Sequence, residues 1–498
     1  MFLRNEIKTR AREERALEFD KFALNMNSDA SELNLSANQT KVSYNFCGKT
    51  GALGKGYGVS KLALPETISG ETTREIEIYE TANILGLWHF KYFDEINQKP
   101  QERLMWFNAD GYLVYCELFS YDPSSYEIND IAAMNSAPIG MNLRINDVDY
   151  MIFSHDDGVL KLTQNTKSVN SDFPLKKFVS ITNAYGGIYA INDGKRNKIT
   201  YSHTNLDPTT WGFSEEVLDV TDERGGCKKL LYFNDYLYAF RDYGITKISK
   251  YSASSDFATT NLFYTASKIY AGTVAQCGDY VVFLARDGIY NFNGNSTRKF
   301  ELDINSLLNV DNSNATACYS DGKYYLACKL NFDDNEKIGA EDYAGGYTNN
   351  ALIVLDLETG HACIMRGVDI HSLLGVSSGA MSKVIACFNG EHSAELGVID
   401  NSGKLFGTPL KSVWRSVKTD LDAPEKDKIL KEIFVKTTDD ITIKITSDLM
   451  TREVSVSGGN RTQKLRMNVR GKEFKIEISS NKNAEIEGLK VRYDIYKN

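Results

Sequence analysis

The sequence predicts an all-β protein: a β-propeller of about six or seven blades followed by a C-terminal β-sandwich, with a short N-terminal helical arm. Three observations predict it. A strand–turn–strand unit recurs from residue 104 onward, mostly at intervals in the forties. Beyond Trp414 the pattern changes to an apolar–polar alternation of period two, which marks a sheet with one wet face. The 28 Tyr and 24 Phe stand against only 8 Pro, a balance that suits pleated, half-buried surfaces.

In chain order, residues 1–39 read as the helical arm and a loop. "LRNEIKTRAREERALEFDKFAL" places Leu3, Ile7, Ala11 and Phe22 roughly on one helical face, interrupted by Glu14 and Glu18. That stripe is either a partly packed face of a solvated helix or an arm docking on a neighbouring subunit. Residues 40–100 form a β platform segment, paired with either the propeller or the sandwich. The sandwich is favoured, because "ETTREIEIYETANILGLWHFKYF" alternates like strands but lacks the blade spacing. Within the segment, Gly48, Lys49 and Thr50 spell the end of a phosphate loop, yet Ser43 stands where its first glycine belongs. Glycines 51, 54, 56 and 58 also forbid the helix that must follow, so hairpins and bulges are the better reading.

Residues 101–410 carry the repeat: "LMWFNADGYLVY", "YMIFSHDDGVLKL", "GIYAINDGKRNKITYS", "YLYAFRDYGITKIS", "YVVFLARDGIYNFN", "DGKYYLACKL" and a looser copy from residue 382. Each joins an apolar strand to a second strand through a polar turn, which is how propeller blades read in sequence. Asp110–Gly111, Asp157–Gly158 and Asp287–Gly288 are the predicted hairpin turns, since tight turns favour residues that tolerate positive φ. Residues 411–498 are the sandwich.

Charge and chemistry narrow the function. The chain holds 57 basic and 66 acidic residues, net −9. Residues 411–498 carry 19 basic against 14 acidic, and the other 410 carry 38 against 52, or −14. Such a chain is not a general binder of nucleic acid, which needs clustered Lys and Arg. The eight cysteines form no CxxC pair and mostly sit in apolar runs, as small core residues of a reducing, aqueous compartment would. The N-terminus lacks the apolar stretch of a signal peptide, and no window reaches the ~18 apolar residues of a membrane helix. Six histidines make neither HxH nor HExxH, and neither a GxSxG elbow nor a calcium loop is present. No catalytic residue, metal ligand or cofactor site is predicted, and the chain reads as a non-enzyme.

One stretch stands out: "KITYSHTNLDPTTWGF", where Tyr201 and Ser202 end a strand and Asp207, Pro208 and Trp211 form a turn. It differs from the Asp-box turn of sialidase propellers in spacing and lacks the glycine between. It resembles instead the blade junction in the tail nozzle proteins of tailed bacteriophages, also called tail hub or packaged-DNA stabilisation proteins. "YLYAFRDYGITKIS" followed by "GTVAQCGDYVVFLARDGIYNFNG" is similar to that family's most recognisable region. "GALGKGYGVSKL" resembles its early GxLxKRxG element, with Gly56 where the Arg stands, and "WRSV" resembles the entry to its C-terminal sandwich.

The resemblance covers roughly residues 40–498. It implies a structural virion protein, folded in the host cytoplasm, that forms a homo-oligomeric ring, commonly sixfold, in the tail. The implied partners are portal or adaptor and other tail proteins. Double-stranded DNA would be retained and then pass through without specific binding. It makes the 201–211 stretch a structural seam, with Pro208 fixing the turn and Trp211 packing over the next blade. The N-terminal helix and basic sandwich are then the candidate inter-subunit contacts. Two other readings stay open: a propeller that binds host-surface glycan or receptor, with Trp88 and Trp106 as suspects, and a glycosidase, which needs a carboxylate pair.

Overall fold

The computed structural model describes residues 12–19, 26–30, 40–49, 52–62, 83–110, 112–118, 127–130, 136–155, 158–162, 170–173, 178–202, 217–251, 256–332, 346–379 and 381–496. Among them every regular element is a β-strand or a single 3-10 turn. The chain is all-β.

Seven sheets follow one another along the chain, antiparallel throughout except for one parallel pairing, Leu405↔Val59, in the seventh. The first six have four strands each, in sequence order. They begin at Ile84–Asp94, Ile139–Ile145, Phe178–Ala184, Cys227–Phe233, Ala275–Cys277 and Thr316–Ser320. The seventh orders Ile370–Ser378, Met381–Phe388 and Leu396–Asp400 beside Gly58–Lys61, a strand from far earlier in the chain. Sequence explains why the second strand of each sheet reads as an unbroken apolar run. Neighbouring side chains point to opposite faces of a strand, and here both faces are covered. In Lys323–Cys328, Tyr324, Leu326 and Cys328 pack toward the fifth sheet, whereas Tyr325 and Ala327 pack toward the seventh.

The same logic repeats around the set. Phe107 and Tyr115 of the first sheet meet Phe153 of the second; Ile152 of the second meets Ile181 of the third; Tyr189 of the third meets Leu230 of the fourth; Phe240 of the fourth meets Phe283 of the fifth. The order then returns to its start, because Val376 and Ile385 of the seventh sheet pack on Leu87 and Trp106 of the first.

Most first hairpins of these sheets are two-residue turns with positive φ at both central positions: Asn146–Asp147 (48° and 63°), Tyr185–Gly186 (51° and 73°), Asn234–Asp235 (46° and 63°) and Asp321–Gly322 (48° and 73°). That geometry matches the right-handed twist of the flanking strands.

Two further sheets share one apolar core. The five-stranded one contains Thr40–Tyr44, Ser412–Ser416, Phe474–Ser480, Ile441–Ser447 and Thr451–Val456; the other contains Phe46–Lys49, Ala52–Lys55, Ile486–Tyr496, Lys428–Thr437 and Gly459–Gly471. Ile443, Ile445, Ile476 and Ile478 from one layer and Ile433, Val435, Val491 and Ile495 from the other are all buried in it. Strands from residues 40–49 and 52–55 therefore join the sheets of the C-terminal strands, 58–61 the seventh sheet, and 84–94 open the first sheet.

The expected N-terminal helix is corrected. Arg12–Phe19 is a β-strand, paired antiparallel with the C-terminal strand from Arg12↔Tyr496 to Phe19↔Leu489. Glu14 and Glu18, which broke the helical stripe, lie with Arg12 and Ala16 on one face of the strand. There Glu14 pairs with Arg492 at 3.1 Å and Glu18 pairs with Lys490. Leu17 and Phe19 turn to the other face, toward the shared core. A waiting sheet edge outweighs a weak helical preference. Leu3, Ile7, Ala11 and Phe22 lie outside the described residues.

Between the fourth and fifth sheets, the Lys229 ammonium donates a 2.8 Å hydrogen bond to the Val274 carbonyl. Burial pushes its pKa down from 10.5 to about 8. A folded pKa below the unfolded one means a penalty that is complete below about pH 8 and disappears as pH rises toward 10.5. The shift corresponds to at most about 3 kcal/mol; the lost hydrogen bond and residual hydration reduce the gain expected of Lys229→Met to about 1–2 kcal/mol. Urea midpoints should rise at pH 7 and converge with the parent by pH 10.

Candidate functional site

The junction singled out by sequence begins at the end of the third strand of the third sheet, Lys198–Tyr201. Tyr201 is buried, stacked on Tyr189 at 5.7 Å and edge-on to Phe257 at 4.8 Å. Ser202 is also buried, and its amide donates to the Ile188 carbonyl at 3.0 Å. The backbone there runs so close to Gly187 that a Cβ at that position would stand 2.2 Å from the Ser202 carbonyl oxygen. Only glycine fits. Tyr201 packs between the third and fourth sheets, and Ser202 is bonded within the third. Asp207, Pro208 and Trp211 lie outside the described residues.

Of the predicted turns, Asp110 sits exposed in the second hairpin of the first sheet, and Gly158 opens the third strand of the second sheet opposite His155. Gly111 and Asp157 lie outside the described residues. In the fifth sheet, Ala285↔Gly288 closes a two-residue turn of Arg286 and Asp287. Asp287 accepts hydrogen bonds from the Tyr290 hydroxyl at 2.7 Å and from Lys299 at 3.3 Å. Burial opposes ionisation of Asp287, but these bonds and one from Ser267 outweigh it and hold the carboxyl below its usual range. A Cβ at Gly288 would approach the Lys299 side chain to 2.4 Å. This acid belongs to its own turn.

Sequence reasoning missed a tie that holds the segment connecting the third and fourth sheets to the fourth sheet. Arg241, 0 % exposed, places Nη1 2.7 Å from Asp222, while its Nε and Nη2 donate to the Gly225 carbonyl at 2.9 and 2.7 Å. Asp222 also takes the Arg224 amide at 2.9 Å and the Asn261 side chain at 3.1 Å. The signal was "DERGG" at 222–226, an acid and a base beside paired glycines. It missed too the positive-φ first hairpins, whose signal is Asn-Asp, Tyr-Gly or Asp-Gly just before a Tyr-rich strand.

Other clusters are small. His89 Nε2 lies 2.6 Å from Glu102, and burial lowers the imidazole pKa although the carboxylate pulls the other way. Arg103 lies between the rings of Tyr92 and Tyr115, at 4.9 and 4.7 Å, and pairs with Glu117 at 2.9 Å. His392 meets Glu395 at 2.6 Å and lies against Phe406. Among the described residues, no three His, Cys, Asp or Glu converge as a metal ion requires. Six of the eight free cysteines are buried, and burial pushes the Cys227, Cys277 and Cys328 thiols up to about 12. Among the described residues, no helix is long and apolar enough to cross a membrane.

The aromatic suspects for a glycan platform are packing residues. Trp106 is buried, and Trp88 lies edge-on to Phe107 and Phe153 at 5.5 and 5.1 Å. An open trough of 670 Å³ crosses the outer face of the five-stranded sheet and is lined by Thr442, Lys444, Glu453, Glu477, Ser479 and Lys482, among others. It offers alternating charges and no ring to stack on.

No family model matches the sequence, and no curated protein matches it. Among solved structures, the chain is similar to the extracellular domain of the one-component system BT4673 from B. thetaiotaomicron, at 11% identity and TM-score 0.43, over 88% of this chain and 60% of that one. It is also similar to Raptor from Chaetomium thermophilum, at 12% identity and TM-score 0.33, over 53% of this chain and 24% of that one. The chain thus spans less than two thirds of either, and likenesses this distant carry no functional argument.

Proposed function

We propose that this chain is a structural virion protein of a tailed bacteriophage, a tail nozzle or hub subunit without enzymatic activity. In this reading the seven sheets are the blades of a β-propeller, clasped by Gly58–Lys61 in the last blade. The two-layered unit is the β-sandwich. Copies assemble into a ring, sixfold in the family that the sequence resembles, beneath portal and adaptor.

The observation that carries the reading is the cyclic packing order, in which the seventh sheet returns to the first. It supports a stiff wall whose conspicuous residues, Tyr201, Ser202 and Asp287, are occupied in packing and turns. The charge supports it as well. A surplus of −14 outside the last 88 residues disfavours the phosphate contacts that would grip DNA in transit.

Light scattering on a sizing column, at several concentrations, tests this. The expected result is a particle of several chain masses that persists on dilution. A monomer at every concentration, both alone and with a portal–adaptor assembly, would refute it.

A further inference from the structure

We propose that the sheet edge along Leu489–Tyr496 is filled, in the assembled protein, by residues 12–19 of a neighbouring copy of this chain. The proposal rests on the ring reading above and names the contact that would hold the ring together.

The N-terminal strand has the character of a docked ligand. Five of its eight residues are charged, and of the eight only Phe19 is buried. Its ladder is made with one strand, over the full register from Arg12↔Tyr496 to Phe19↔Leu489. Backbone bonds supply attachment and a few side chains supply register, as in β-strand addition to a sheet edge. Glu14 meets Arg492, Glu18 meets Lys490, and the Arg12 guanidinium lies 5.1 Å from the Tyr496 ring centre. Phe19 is the anchor, set edge-on to Trp414 at 6.2 Å in the shared core.

The receiving edge needs an occupant. The strand Ala52–Lys55 covers the same side of the C-terminal strand only at Ile486 and Glu487. Without residues 12–19, the ladder positions from 489 to 496 would lie open beside a hole next to Trp414, an arrangement folded proteins avoid. Among the described residues, the donor is followed by Met26–Ala30, where the Asn27 amide bonds the Thr40 carbonyl at 2.8 Å and Asp29 accepts the Asn305 and Ser306 amides at 3.1 and 2.6 Å. The six residues between Phe19 and Met26 reach at most about 25 Å. A neighbour's edge within that radius receives identical contacts, so exchange costs no interaction and a closed ring satisfies every edge.

Ala16 and Arg492 are register partners on the exposed side. Cysteines at both positions meet the spacing of a disulfide wherever the strand docks. In the full-length chain carrying Ala16→Cys and Arg492→Cys, mild oxidation is expected to yield reducible multimers up to the size of the ring, with loss of the monomer band. The unsubstituted chain, with its eight native cysteines, should give none. Mixing an Ala16→Cys chain with a differently tagged Arg492→Cys chain during assembly should give a disulfide-linked heterodimer.

Cross-linking that leaves the double variant monomeric in a denaturing gel overturns the exchange, even if light scattering finds a ring; the ring reading then survives alone. Covalent multimers from a particle of only two copies support exchange and overturn the ring. No cross-link at all means the edge does not hold this strand, and overturns the proposal too.

Discussion

Trp414→Ala is expected to lower the stability of the two-layered unit by about 3–5 kcal/mol, the range for emptying a large aromatic site in a packed core. Trp414 is 1 % exposed and carries three connections at once. Its ring is edge-on to Phe19 of the N-terminal strand. Its backbone pairs with Ser43 on one side and Ile478 on the other. Its Nε1 donates to the Thr40 hydroxyl at 2.8 Å, between residues 374 positions apart. The cavity cannot collapse easily, because strands from three distant parts of the chain frame it.

Trp414→Phe keeps most of the apolar volume and removes the hydrogen bond to a fully buried hydroxyl, so a loss nearer 1–2 kcal/mol is expected. Scanning calorimetry is the appropriate measurement. A large fall in one transition, with the rest of the trace in place, locates the effect in the two-layered unit. A loss below 1 kcal/mol in the alanine variant would mean that the junction is held elsewhere.

The parts of the fold legible in the sequence were those governed by local pattern. "YYLAC" and "VVFLA" announced strands because both faces are covered, and "ITIKI" announced a strand with one wet face. Ile441, Ile443 and Ile445 are indeed buried, with Thr442 and Lys444 between them more exposed. What the sequence hid depends on partners far away. Nothing in "GVSK" says that Gly58–Lys61 pairs with residues 397–400, since such pairing is decided by which edge the folded body leaves open. The N-terminal strand was misread for the same reason: its alternating charges satisfy a helix and an edge strand almost equally, and the edge exists only after the C-terminus has folded. At the junction, the identity of Tyr201 and Ser202 was visible but their burial was not. Arg241 looked like any turn residue until the fourth sheet brought it over Asp222.

Removing the charge of Arg241 should be nearly as damaging as removing Trp414, and its effect should depend on pH. Arg241→Met keeps much of the stem's volume but leaves Asp222, 23% exposed at its side chain, without its closest cation. Breaking a buried pair from one side costs about 3–5 kcal/mol, and partial access of water to Asp222 places the expectation near the lower end.

The acid dependence follows from the carboxyl. Burial resists its ionisation, but the Arg224 amide and the Arg241 and Arg224 guanidiniums outweigh that and hold its pKa below the usual value. A folded pKa below the unfolded one stabilises the protein above the unfolded value, about 3.9, and that contribution is lost as pH falls through the folded pKa. The parent should therefore lose stability in acid more steeply than Arg241→Met, and the gap between them should narrow from pH 7 to pH 3. Adding Asp222→Asn to the variant should restore part of the loss, since the stranded charge is removed with its partner; the cycle of four proteins isolates the coupling. Urea midpoints at three pH values decide it. A gap that stays constant with pH, and no recovery in the double variant, would assign the loss to the two bonds on the Gly225 carbonyl and to packing between the third and fourth sheets rather than to charge.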